Sequence, residues 1–206
     1  MAERRGGSPS PETVQTLVDE DFSGERLDGT VFEATTFIDL DLTETHTNGA
    51  RFVDCVFKGA RLNASVHHES AFLNCTFVTC SFFDASFTGC KLTGTMFDRC
   101  SFSLLKVTGG DWSLVGLPGA DLTGTEFREV RLREADLTHA RCIRTSWVGC
   151  DLSASWFHGA DFTEAMLTGS DISGLDPATT TLTGATVDLQ QASALVEALG
   201  LHVLPI

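Results

Sequence analysis

GADLTGTEF occupies residues 119–127, and variants of it return downstream: EADLTHA (134–140), GCDLSAS (149–155), GADFTEA (159–165) and GSDISGL (169–175). Each has a small residue, an aspartate, and then Leu, Phe or Ile. The returns fall at multiples of five. Counted outward in fives, the register runs unbroken from Phe22 to Val187, making 34 repeats. Phe fills 14 of these positions and Leu 11, and of the 15 Phe only Phe83 lies outside the column. Val107, Trp112, Trp147, Ile172 and Val187 complete the apolar set. Thr47, His67, Cys142 and Pro177 interrupt it. A second column lies two residues earlier, where 29 of 34 residues are Ala, Cys, Ser, Thr, Gly or Val. Each repeat therefore reads small-x-large-x-x.

A period of five fits neither the helical 3.6 nor the strand period of 2. It fits a chain that turns a corner every five residues, with one large and one small side chain pointing in and three residues pointing out. Four sides close a square coil of 20 residues. Successive coils then pair backbone groups at the sheet spacing. Eight and a half such coils make a rod roughly 41 Å long at about 4.8 Å per coil. Split by twenty, the large column gives ladders such as Phe37, Phe57, Phe77, Phe97 and Phe32, Phe52, Phe72. The expected fold class is all-β, a square coil of stacked parallel strands with a short C-terminal α-helix. Residues 1–19 are expected as a disordered lead-in, 20–188 as the β-helix, and 189–206 as helix and tail. Whether the coil is locally broken at Thr47, His67 or Pro177 is left open by the pattern.

Several chemistries find no support. All seven cysteines lie in the two inward columns, so they read as core filler. Cys55/Cys75 and Cys80/Cys100 stack between coils, where parallel Cβ vectors would strain a disulfide. His67 is inward and His68 outward, with no third ligand recurring nearby, so no metal is expected. No phosphate-binding loop or nucleophile elbow is present, and neither catalytic residues nor a cofactor are expected. Glycines cluster at the corner position, where φ is positive. No run of about 18 apolar residues spans a membrane. The opening MAERRGGSPSPETVQ lacks the apolar core of a secretion signal, so a cytoplasmic location is expected.

The unbroken A(D/N)LXX pattern over residues 20–188 resembles the pentapeptide-repeat family, which implies an all-β fold, a right-handed quadrilateral parallel β-helix. Within that family, the absence of loop insertions, the run RLREADL and the ending ATVDLQQASALVEALGL resemble the loop-free mycobacterial fluoroquinolone-resistance members. That resemblance implies a homodimer joined at its C-termini, a DNA mimic, and DNA gyrase as partner. It implies no direct nucleic-acid binding.

The composition agrees with the sign of such a role. The chain has 28 acidic and 14 basic residues, a formal net charge of −14. It repels nucleic acid and is drawn to basic surfaces. Asp111, Asp151 and Asp171 fall on one side of the square, Asp136 and Asp176 on the next, and Asp121 and Asp161 on the one after, with Glu126 beside them. These eight are the candidate gyrase-facing surface. A structural origin is the competing reading, because Asp also bonds backbone N–H groups at corners. At the C-terminus Asp188 and Gln191 form a capping-box pattern, and Gly200 marks a stop. Ala192, Leu195, Val196 and Leu199, with Leu201, Val203 and Leu204, are expected to cap the last coil and form the dimer interface. A rigid scaffold for a different partner is the alternative function. An ice-binding helix ranks last, because the outward Thr43, Thr88, Thr108 and Thr138 do not form ranks.

Overall fold

Closing a coil every twenty residues demands a sharp corner every five. The backbone supplies it by entering the left-handed region at residue 19 and at every fifth residue through 169, and again at 184. Glycine was expected there, and it serves at many corners. Yet 19 non-glycine residues also carry positive φ, among them Ala34 at 44° and Leu114 at 62°. Such a conformation costs about 1–2 kcal/mol for an L-residue. The coil-to-coil hydrogen bonds hold it in place. Leu62 N–H bonds the Ser81 carbonyl at 2.7 Å, Ala64 N–H bonds Phe83 at 2.7 Å, and Arg61 N–H bonds Leu40 at 2.9 Å.

The computed structural model describes residues 9–204, and these form a parallel β-solenoid ending in one helix, α1 (Leu189–Ala198). One side stacks Gln15–Val18, Thr35–Ile38, Val56–Lys58, Thr76–Val78 and Met96–Asp98. A second side stacks six strands from His46–Asn48 to Ser146–Val148, and a third stacks Val31–Glu33, Arg51–Val53 and Ala71–Leu73. The fourth side is held by single parallel bridges, such as Asp21↔Asp41 and Arg141↔Asp161. The twenty-residue offset holds from Gln15↔Thr35 to Met166↔Thr186.

The solenoid begins earlier than the sequence reading placed it. Gln15–Val18 pairs in register with Thr35–Ile38, so the expected lead-in of 1–19 is corrected for these residues. Leu17 extends the large column one step back from Phe22 and packs against the core. Residues 1–8 of that lead-in lie outside the described residues, as do 205–206.

The interior consists of the two predicted columns. Phe37, Phe57 and Phe77 stack at 4.9 and 4.5 Å between centroids, and Phe52 and Phe72 at 4.7 Å. Burial of these rings at roughly 25 cal/mol per Å² is the main stabilising term. Gly110 is a small-column residue with no alternative. Its φ is +88°, and a Cβ there would lie 2.1 Å from the Cys90 carbonyl oxygen.

At Thr47 and His67 the coil is intact. His46–Asn48 pairs with Val66–His68 in register. The buried imidazole is bonded on both sides, to Thr47 Oγ1 at 2.9 Å and Ser65 Oγ at 3.0 Å. Thr47 also bonds Ser70 at 2.8 Å, and His67 stacks on Phe87 at 4.5 Å. At Pro177 the coil does break. Neither Gly174 nor Thr179 keeps the left-handed corner. Gly159 N–H bonds the Thr179 carbonyl, twenty residues on, whereas Gly149 N–H bonds Thr168, nineteen on. The side at 176–180 thus bows outward, and the register recovers at Thr181 N–H to Ala160 O.

The helix closes the C-terminal end through polar bonds as well as packing. Asp188 accepts the Gln191 N–H at 3.0 Å, and Gln191 Oε1 accepts the Asp188 N–H at 2.8 Å. The Gln191 amide then donates to the carbonyls of Leu167 at 2.6 Å and Ser170 at 2.7 Å. It replaces donors that a further coil would supply. At the far end Gly200 N–H bonds Glu197 O and Leu201 N–H bonds Val196 O, a Schellman closure with Gly200 at φ +83°.

Burial, with a smaller contribution from His46, lowers the His67 pKa to about 3. The unfolded chain takes up this proton below about 6.5 while the folded chain does not. Stability is therefore complete above pH 6.5 and falls as pH drops toward 3, by up to about 1.4 kcal/mol per pH unit. His67→Phe leaves Thr47 bonded to Ser70 and Ser65 bonded to the Leu62 carbonyl. Urea unfolding at pH 7 and pH 4.5 should show the variant gaining on the wild type at the lower pH. A pH-independent difference would contradict a neutral buried imidazole.

Candidate functional site: the aspartate rows

The aspartates first face their own backbone. Asp111, Asp121, Asp136, Asp151, Asp161, Asp171 and Asp176 each accept, through Oδ1, the N–H of the residue two further on, at 2.9–3.1 Å. Thr123, Thr138, Ser153 and Thr163 add hydroxyl bonds of 2.6–2.7 Å to the same oxygen. Asp21 and Asp41 do the same in the first coils. These are Asx turns, and they start the tight corner that follows. The structural role weighed against the functional one is therefore real. It occupies one carboxylate oxygen and leaves the other available.

The rows are also interleaved with arginine. Arg131 reaches Asp111 at 3.4 Å and Arg141 reaches Asp121 at 2.9 Å, each from the next coil. Arg133 approaches Asp151 at 3.8 Å, and Arg128 lies 3.6 Å from Glu126. At Asp111 burial opposes ionisation, but Ser113 and Arg131 outweigh it and hold the pKa below the usual carboxylate range. At Asp121 the Thr123 hydroxyl is the main cause of a lowered pKa, with Arg141 assisting. Asp161, Asp171 and Asp176 have no arginine or lysine within 4 Å among the described residues.

Of the eight expected surface acids, Asp121, Asp171 and Asp176 are exposed, and Asp111, Glu126, Asp151 and Asp161 are half-buried. Asp136 is buried, which corrects its place on an open acidic surface. Corner acids the repeat motif did not single out are more exposed: Glu129, Glu134 and Glu164 project from left-handed positions. Asp136 instead lines a cavity of about 210 Å³ with Trp156, His158 and Asp176, opened by the bowed side at Pro177. The repeat pattern gives no sign of it beyond an aromatic, Trp156, at an outward position.

The expected dimer residues divide into two groups. Ala192 and Leu195 are half-buried, and Leu195 packs against the solenoid core. Val196, Leu199, Leu201, Val203 and Leu204 are exposed, together with Leu189. Among the described residues no group of three or more His, Cys, Asp and Glu could hold a metal ion, and no helix is long and apolar enough to cross a membrane.

Comparison with known proteins follows the same lines. Residues 117–146 and 148–176 match the family described as Pentapeptide repeats, in 8 copies. The chain is 36% identical over 91 residues to the pentapeptide repeat protein MfpA of Mycobacterium tuberculosis, covering 44% of this chain and 50% of that protein. It is 40% identical over 73 residues to MfpA of Mycolicibacterium smegmatis, covering 35% and 32%. The aligned part thus spans half the length of the first relative and about a third of the second. Among solved structures, a trypsin-treated variant of QnrB1, a plasmid-mediated fluoroquinolone resistance protein, is 25% identical over 94% of this chain and 99% of its own, with a TM-score of 0.57. Full-length QnrB1 has a TM-score of 0.61 at 22% identity, covering 92% and 99%, which speaks for the fold alone.

The Asx turns make a direct prediction. Asp161→Ala removes the acceptor for Thr163 and should cost about 1 kcal/mol. In a chain of this size that lowers Tm by about 2–4 °C. Asp161→Asn keeps an acceptor oxygen and should cost a few tenths of a kcal/mol. Equal losses in the two variants would mean that charge, and not the turn bond, is what Asp161 contributes.

Proposed function

We propose that this pentapeptide-repeat protein is a non-enzymatic mimic of duplex DNA that binds DNA gyrase, competes with DNA for it, and shields it from fluoroquinolones. The observation that carries the reading is a net charge of −14 on a rod whose outward side chains repeat at a fixed stride. Over roughly 41 Å, B-DNA carries about 24 phosphate charges, at one per 1.7 Å. The rod carries a little over half that charge, so it imitates DNA in sign and periodicity more than in density. The kinship with proteins named for fluoroquinolone resistance supports the target. Two structural details support the mechanism. The turn bonds fix each carboxylate in place, so little side-chain entropy is lost on binding. The bonds that lower the pKa of Asp111 and Asp121 keep them charged in mild acid.

The proposed assembly is a homodimer through the exposed Val196, on the helix that caps the last coil, and Leu199, Leu201, Val203 and Leu204 after it. Five exposed large apolar side chains within nine residues favour burial against a partner. A two-fold pair would lengthen the acidic rod, with the more acidic second half nearest the centre. The second reading is a rigid scaffold for another partner, which the arginines between the aspartates favour. Arg131 and Arg141 offset charge in the rows a DNA mimic would use.

Two measurements test this. Purified protein titrated into bacterial gyrase with relaxed plasmid should inhibit supercoiling, and should reduce fluoroquinolone-stabilised cleavage. Asp161→Asn with Asp171→Asn, and Glu129→Gln with Glu134→Gln, keep the fold and should weaken inhibition by about tenfold. No inhibition of gyrase from the same organism would remove this reading and leave the scaffold. Inhibition insensitive to charge would remove the mimicry. In sedimentation the wild type should run as a dimer, and Leu199→Glu with Leu204→Glu as a monomer. A monomeric wild type would discard the proposed assembly.

A further inference from the structure

We infer that the cavity beside Trp156 is a binding site for a guanidinium cation. It exists because the side at 176–180 leaves the coil. The chain bows away from Trp156 and Phe157, and a space of about 210 Å³ opens between them and Asp176. That is smaller than the 300 Å³ or more typical of drug-sized ligands, and suits a single planar head group.

Its lining is chemically specific. Asp136 is 5% exposed, and only its Oδ1 is engaged, by the Thr138 N–H and hydroxyl. Its Oδ2 accepts no hydrogen bond among the described residues. That oxygen is not sealed from solvent, and a charged donor entering the cavity would engage it. Asp176 also lines the cavity, with the Ala178 N–H on Oδ1 and the Thr179 hydroxyl 3.3 Å from Oδ2. Trp156 supplies an aromatic wall and is 40% exposed. No lysine or arginine lines the space. Two carboxylates and an indole favour a cation, and the pairing of stacking surface with carboxylate favours the flat, forked guanidinium over the compact ammonium.

The guanidinium could belong to a small molecule or to an arginine side chain of a protein. Both present the same head group. The inference does not rest on gyrase as partner, and each reading can fail alone.

The test follows the indole N–H of Trp156 by NMR. The chain has three Trp, and Trp112 and Trp147 are 1% and 0% exposed, so only one indole should respond. Methylguanidinium and N-acetylarginine amide, titrated at constant ionic strength, should give saturable shifts. N-acetylcitrulline amide, neutral and of the same shape, should bind at least about tenfold more weakly. Asp136→Asn, which retains the Thr138 acceptor, should lose at least about tenfold in arginine affinity, with Tm within about 2 °C of wild type. Trp156→Ala should lose the same through its backbone reporter at His158. Tighter binding of the arginine amide than of methylguanidinium assigns the site to a protein side chain, and the reverse to a free cation. No saturable shift, equal binding of citrulline, or full affinity in Asp136→Asn would overturn the inference.

Discussion

The hydrogen bond between one coil and the next, joining residues about twenty apart, is the interaction on which the rest of the molecule depends. Each side contributes it from the residues flanking the large column, as in Leu132 N–H to Asp151 O at 2.7 Å and Asp151 N–H to Val130 O at 3.0 Å. Because every coil meets its neighbours in the same register, the ladder tolerates left-handed corners at Asp, Glu, Thr and Leu that would be strained in isolation. The side that leaves the ladder shows the converse. Where Pro177 occupies the large column, the corners at Gly174 and Thr179 are lost, and the backbone slips by one residue.

The small column does more than save space. Many of its hydroxyls and thiols donate to the carbonyl of the large residue 23 positions earlier, and others, such as Ser65 and Thr125, to the one three positions earlier. Thr45 bonds Phe22 O at 2.6 Å, Thr95 bonds Phe72 at 2.6 Å, and Ser155 bonds Leu132 at 2.8 Å. Cysteine fills the same role more weakly, with Cys90 at 3.3 Å from His67 O and Cys150 at 3.5 Å from Phe127 O. Burial raises the Cys90 thiol to about 11 and pushes Cys142 up as well. The Cys90 sulfur is a donor, and both sulfurs fill the core. Ser, Thr and Cys thus satisfy an inward carbonyl that Ala at the same position leaves to the turn alone.

The aspartates combine two roles that sequence reasoning set against each other. Oδ1 holds the corner, and the other oxygen faces the solvent, a neighbouring arginine, or the cavity. At Asp111 and Asp121 it meets Arg131 and Arg141. At Asp161 and Asp171 no lysine or arginine nitrogen lies within 4 Å among the described residues. At Asp136 burial replaces solvent, and an outward position becomes a pocket wall. A single motif residue therefore has several environments, decided by what stands one coil away.

The period of five, read from Phe22 to Val187, was enough to give the square coil, the two inward columns, the stacked Phe ladders and the capping box at Asp188 and Gln191. Those features depend on local sequence and a constant stride, so they are legible in one dimension. Leu17 was legible by the same rule, but the polar composition before it hid the first strand. The chain's own arrangement decided the rest. Thr47 lies one coil before Ser65 and His67, and only stacking shows that the three satisfy one another. The arginines that offset the aspartates stand twenty residues away. The division of Ala192 and Leu195 from Leu199 and Leu204 depends on how the helix meets the last coil. The cavity beside Trp156 needs both a break at Pro177 and an indole one coil below it. Contacts across coils depend on pairs of residues, and a repeat fixes the position of every residue while leaving open which neighbour it meets.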